Sequence, residues 1–170
     1  LNKVTKYHSN LSQNELIYKK FKKIKSEKCF LNLTKPQKKI ISDEILGFEL
    51  GGVGLSKSKK IEFKKLKAKL SKLSSSFEEN LLDSVNNFSL LIEDKQKIKG
   101  IPKDVLEQAK INAKKQNKKG WLFTLDFPCY LPIMHYADNR ELRKQIYYAY
   151  ATKASELNDK KTDNTKNINQ

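Results

Sequence analysis

Histidine, cysteine and well-placed carboxylates carry most hydrolytic and metal chemistry, and the first two are scarce here: His8 and His135, Cys29 and Cys129. A zinc-peptidase helix needs two histidines four residues apart, so that both face one metal, with a glutamate directly after the first to take a proton from the metal's water. Ser9 follows His8 and Tyr136 follows His135, so counting excludes a two-histidine zinc site built from this chain alone. His135 reads as structural or exposed. The two cysteines lack any zinc-ligand spacing and suggest no disulfide framework, so they read as free, partly buried thiols. No catalytic, cofactor-binding or metal-binding residue is assigned within this chain.

Three other features invite chemistry. Gly51, Gly52 and Gly54 look like a phosphate loop, but Ser56 stands where a P-loop has its second glycine and Lys57 where the dinucleotide fingerprint has its third. Both motifs also follow a strand, and a helix is expected here; the cluster reads as an inter-helix turn. Asp126, before a strand-terminating proline, reads as a carboxylate satisfying backbone N–H groups of the adjoining turn. The tyrosines Tyr130, Tyr136, Tyr147, Tyr148 and Tyr150 fall at helical spacing and read as core residues with solvated hydroxyls.

The elements that would position these residues are mostly helical. Leu11, Ile17, Phe21 and Ile24 predict an amphipathic helix over 11–29, with Ser12 as N-cap and Glu15 completing a capping box. Thr34 caps the next helix, Pro36 occupies its first turn, and Ile40, Ile41, Leu46 and Phe48 form its apolar stripe. From Ser56 to about Asn87, apolar residues recur every three or four positions without proline or glycine, which predicts one helix of about 48 Å. "FSLLIED" (88–94) and "WLFTLDF" (121–127) read as strands pairing in a small ribbon around a helix that begins at Pro102 and ends at Gly120. Pro128 and Pro132 open a short helix. Asp138 caps the last helix, whose stripe is Leu142, Ile146, Ala149 and Tyr150. The fold class is therefore mainly α: a bundle-like helical domain over 1–155 with one long central helix, then a loose polar tail over 156–170.

At 170 residues with 38% hydrophobic content the chain matches one domain with a real core. The opening Leu1 points to a piece of something longer, and the lack of a long apolar run or leader points to a soluble, cytoplasmic protein with no membrane partner. The formal charge of +16 suggests nucleic acid, yet of 35 basic residues only Arg140 and Arg143 are arginine, the usual reader of phosphates and guanine edges. The lysines are also spread along every segment, so no specific nucleic-acid partner is expected. Composition alone still allows a lysine-rich helical nucleic-acid-binding module or a plain protein-interaction domain.

One segment differs from its surroundings. "FTLDFPCYLPIMHYADNRELRKQIYYAYATKAS" (123–155) resembles a segment of the thimet oligopeptidase and oligopeptidase A family of zinc metallopeptidases. Thr124, Leu125, Asp126, Pro128, Tyr130, Pro132, Met134, Asp138, Asn139, Leu142, Arg143, Tyr150, Thr152, Ala154 and Ser155 carry the likeness; Ile133 and Lys153 depart from the usual valine and arginine. Upstream, "FELGGVGLS" with the long helix after it is similar to the family's F-x-L-x-G-x-G-L motif, and Asp163–Asn164 to a later aspartate-asparagine pair. The resemblance implies a parent that hydrolyses short peptides with zinc. It also implies that this chain is the N-terminal helical portion, one wall of a deep channel, with the His-Glu-x-x-His helix in a missing C-terminal catalytic domain.

Overall fold

The computed structural model describes residues 2–169. They form a mainly α-helical protein with eight α-helices and one two-stranded antiparallel sheet among the described residues. The chain divides into two compact units, residues 1–74 and 75–170, with the division falling inside the longest helix.

The first unit holds α1 (Asn2–Ser12), α2 (Glu15–Ser26), a 3₁₀ turn (Lys28–Asn32), α3 (Lys35–Leu50) and the first part of α4 (Lys57–Asn87). The single helix expected over 11–29 is two. Ser12 ends α1 with its hydroxyl turned back to the Ser9 carbonyl, which leaves Asn14 to cap α2 by accepting from the N–H groups of Leu16 and Ile17 at 3.0 and 3.2 Å. Glu15 is thereby freed for an ion pair with Lys60 on α4 at 2.7 Å, which holds its carboxyl below the usual range. Thr34 begins α3 as expected, with the Gln37 side chain accepting from its N–H. The buried face of α3 is Ile45 and Phe48, while Ile40 and Leu46 are exposed. Tyr18 and Phe21 of α2 lean on Phe48 with ring centroids 6.1 and 6.0 Å away. The glycine cluster is the turn from α3 to α4, with Gly52 at φ +84° and Gly51 pressed so close to Ser12 that a Cβ there would sit 2.5 Å from the Ser12 Cβ. Ile61, Leu66 and Leu70 on α4 are exposed, so the predicted stripe is not a buried one along its length.

In the second unit, β1 (Leu90–Ile92) and β2 (Trp121–Phe123) pair antiparallel with Leu90 opposite Phe123 and Ile92 opposite Trp121. The ribbon predicted from the two apolar runs is present, though each strand keeps only three residues. Between them, α5 (Lys103–Lys115) stops well before Gly120: Asn117 takes the left-handed conformation at φ +54° and Lys118 N–H returns to the Ala113 carbonyl. Asparagine tolerates that conformation through its short polar side chain. Gly120 serves a different end, at φ +109° beside the Ile92 carbonyl, where a Cβ would lie 2.5 Å away. After β2 come α6 (Phe127–Tyr136), α7 (Arg140–Ala151) and the short α8 (Thr165–Ile168). The core joins Ile98, Ile101, Val105 and Ala109 to Phe123, Ile133, Leu142 and Ile146.

The polar segment after α7 meets α4 through hydrogen bonds. Buried Asn164 donates to the Phe77 carbonyl at 3.1 Å and accepts from the side chains of Asn80 and Asn167 at 2.9 and 2.8 Å. Ser84 of α4 accepts from Ala154 N–H at 2.9 Å.

Candidate functional site

Residues 123–155 contain the three most deeply buried apolar anchors of the second unit, Phe123, Ile133 and Ile146, each 0% exposed. The segment turns twice. At the first turn, the Asp126 carbonyl accepts from Cys129 and Tyr130 N–H groups at 2.8 Å each, which starts α6 with Pro128 in its first turn. Contrary to expectation, the Asp126 carboxylate caps no backbone N–H of the turn; it accepts from the Thr124 hydroxyl at 3.1 Å. The helix start is already served by the carbonyl and the proline, so the side chain is left to its neighbour. At the second turn Asn139, not Asp138, caps α7, accepting from Leu142 N–H at 2.9 Å. Asp138 has its own N–H on the Lys99 carbonyl at 2.9 Å, and Arg143 clamps the turn from the far side through the carbonyls of Ala137 and Asp138.

That turn fits against Gly100, whose φ is +82°. A Cβ at Gly100 would lie 2.1 Å from the Tyr136 carbonyl oxygen and 2.8 Å from an Asp138 carboxylate oxygen. The loop entering α5 thus fixes the corner between α6 and α7.

A groove of about 540 Å³ runs between α5 and the β2–α6 turn, lined by Asp104, Gln108, Asn112, Thr124, Asp126 and Cys129 among others. Burial pushes the Cys129 thiol up, so it stays protonated and is a weak nucleophile. Tyr130 and Tyr150 stack with centroids 3.8 Å apart, and Lys153 Nζ caps the Tyr150 ring at 3.4 Å. Burial, then the neighbouring Tyr150 and Tyr147, push the Tyr130 hydroxyl up. The other tyrosines do not enter the core: Tyr136, Tyr147 and Tyr148 are all more than half exposed. The i, i+1 placement of Tyr147 and Tyr148 in "YYAY" cannot bury both on one helix face while Ile146 holds the core position.

His135 is exposed and lies edge-on to Tyr136, and His8 lies edge-on to Tyr7 on α1. Among the described residues no three His, Cys, Asp or Glu side chains gather as metal ligands. The arrangement is an aromatic-rimmed scaffold.

Known proteins share this scaffold's sequence. Residues 2–60 match the family model Neurolysin/Thimet oligopeptidase, N-terminal domain. Oligopeptidase A of Haemophilus influenzae is 38% identical over 165 residues, covering 96% of this chain and 24% of the relative. Oligopeptidase A of Escherichia coli is 34% identical over 165 residues with the same coverage, and the probable cytosolic oligopeptidase A of Arabidopsis thaliana is 36% identical over 172 residues. The chain thus spans about a quarter of the length of the curated relatives it matches. On nearly its whole length, the chain belongs to the thimet oligopeptidase and oligopeptidase A family, as its N-terminal helical portion.

Proposed function

We propose that the protein to which this chain belongs is a cytoplasmic zinc metallo-oligopeptidase that hydrolyses short peptides, and that residues 1–155 form one wall of its substrate channel. Residues 156–170 lead toward the catalytic domain in this reading. The observation that carries it is the identity of 34–38% to bacterial oligopeptidase A along nearly all of the chain.

The residues present here do not fit a zinc ion. The two histidines sit on helices of different units, each beside a tyrosine ring, and among the described residues no three His, Cys, Asp or Glu side chains gather. Metal ligands and the water-activating carboxylate are therefore assigned to sequence outside this chain, and residues 1–170 alone are expected to be inactive and to bind no stoichiometric zinc.

What the chain would contribute is shape. Gly100 and Arg143 lock the corner between α6 and α7, so a wall built on that segment holds its orientation without a ligand. The arginines argue against a specific nucleic-acid surface, since Arg143 is already committed to two backbone carbonyls. None of the described helices is long and apolar enough to cross a bilayer.

The test is hydrolysis of a quenched peptide of about ten residues by the full-length protein, with and without a chelator. Cleavage abolished by chelator and restored by zinc is expected. Absent or chelator-insensitive cleavage contradicts the assignment, as does one tightly held zinc per chain in residues 1–170 alone.

A further inference from the structure

The groove between α5 and the β2–α6 turn lies wholly in the second unit, and its lining sorts by chemistry. Val105 and Ala109, both buried and one helical turn apart on α5, give it an apolar floor. Asp104, Gln108 and Asn112 follow one another at the same spacing along the adjoining ridge of that helix. Thr124 and Asp126 line it from the side of the turn.

The charge in this groove runs against the rest of the chain. Of 170 residues 35 are lysine or arginine, for a net +16, yet among the described residues lining the groove there is neither, and there are two aspartates. Both aspartates are exposed, and neither takes part in an ion pair among the described residues. Asp126 accepts from the Thr124 hydroxyl through one oxygen, and its other oxygen accepts from no described residue. The Gln108 side chain donates to the Asn112 side-chain oxygen at 3.1 Å, which leaves the Gln108 oxygen to accept and the Asn112 nitrogen to donate.

An apolar floor with a carboxylate on either wall suits a lysine or arginine side chain, whose methylene stem lies on apolar surface while its charged head meets carboxylate oxygens. A purely apolar ligand would desolvate the two carboxylates without pairing them, and an anion would be repelled. Two carboxylates without a third ligand do not make a metal site.

We propose that this groove is a subsite for one basic side chain of an extended peptide, with Asp104 and Asp126 reading the charge and the Gln108–Asn112 pair holding a neighbouring peptide unit. That the ligand is a peptide rests on the family reading; that it is cationic rests on the groove. The field of these 170 residues, at +16, works against such a ligand, so a preference for it has to be local.

A lysine scan on the full-length protein tests it. Peptides of about ten residues, acetylated at the N-terminus and otherwise uncharged, carry one lysine at successive positions, with norleucine as the uncharged reference at each. At low ionic strength kcat/KM is read for peptides that are cut, and the dissociation constant, by fluorescence anisotropy, for those that are not. Lysine should be preferred in one register only. Asp104→Asn and Asp126→Asn should each reduce that preference about two- to fivefold, the range of an exposed ion pair, and leave the norleucine peptides unchanged. Both substitutions keep the side chain's shape at exposed positions; should Asp104→Asn loosen α5 by removing a charge from its first turn, Asp126→Asn decides alone.

An equal preference for lysine at every position assigns it to diffuse charge and overturns the proposal. So does a preference that survives both variants, the lack of any preference, or one that appears only in a parallel set with free amino termini, which makes the terminus the ligand. A protein that cuts peptides without this dependence keeps the peptidase reading and loses the subsite. One that cuts nothing yet binds the lysine peptide through Asp104 and Asp126 does the reverse.

Discussion

Gly100→Ala is the substitution that most sharply probes the corner between α6 and α7. At φ +82° an L-residue costs about 1–2 kcal/mol. The new Cβ would lie 2.1 Å from the Tyr136 carbonyl oxygen and 3.0 Å from Asp138 N, both backbone atoms, so the turn itself must move at about 1–3 kcal/mol. That movement breaks the 2.9 Å bond from Asp138 N–H to the Lys99 carbonyl, a further loss of about 1 kcal/mol. Together these give about 3–6 kcal/mol, a large fraction of the stability of a small domain. Urea unfolding followed by the fluorescence of Trp121, the only tryptophan, which lies in β2, should show the midpoint falling by roughly 1.5–3 M for a slope near 2 kcal/mol/M. Gly54→Ala is the control: nothing lies within 4 Å of its Cβ position, so a shift within about 0.5 kcal/mol is expected. A Gly100→Ala loss below about 1 kcal/mol would refute the reasoning, because the corner would then be adaptable.

Buried polar and thiol groups give further expected outcomes. Asn164→Ala removes three side-chain hydrogen bonds at a site 1% exposed, which should cost about 2–4 kcal/mol and open the Lys160–Lys161 bond to trypsin; unchanged stability and unchanged cleavage would refute the clasp onto α4. Cys29 is exposed and Cys129 partly buried, so a maleimide at pH 7.5 should label Cys29 first and Cys129 only on unfolding, with equal rates counting against the burial. Because the folded Cys129 thiol is raised above its unfolded value by burial, its linkage contribution is present in full below about pH 8.5 and is lost as pH climbs through the folded value; Cys129→Ser should flatten that alkaline decline.

The ribbon, the long helix and the proline-started α6 were legible because each is set by local signals: apolar runs bounded by glycine and proline, or an uninterrupted period of three to four. Caps were less so, since several good capping residues stand side by side. Ser12 and Asn14 both suit an N-cap, as do Asp138 and Asn139, and the outcome turned on contacts distant in sequence, such as Lys60 with Glu15 and Lys99 with Asp138. Gly120 fits a helix stop by composition, but the Ile92 carbonyl claims it for the ribbon and leaves the stop to Asn117. The buried face of α3 was half legible, because Ile40 and Leu46 are apolar without being covered. As for the site, the Gly100 corner joins residues far apart in sequence, and no periodicity encodes it.

The proposed channel wall admitting only short peptides is measured best by a length series. Full-length protein should be given unstructured substrates of one shared cleavage sequence, from about ten residues to a whole unfolded protein, and kcat/KM determined for each. A channel wall predicts efficient, chelator-sensitive cleavage of the shortest and a fall of about a hundredfold or more by the longest. Equal cleavage across the series would contradict it.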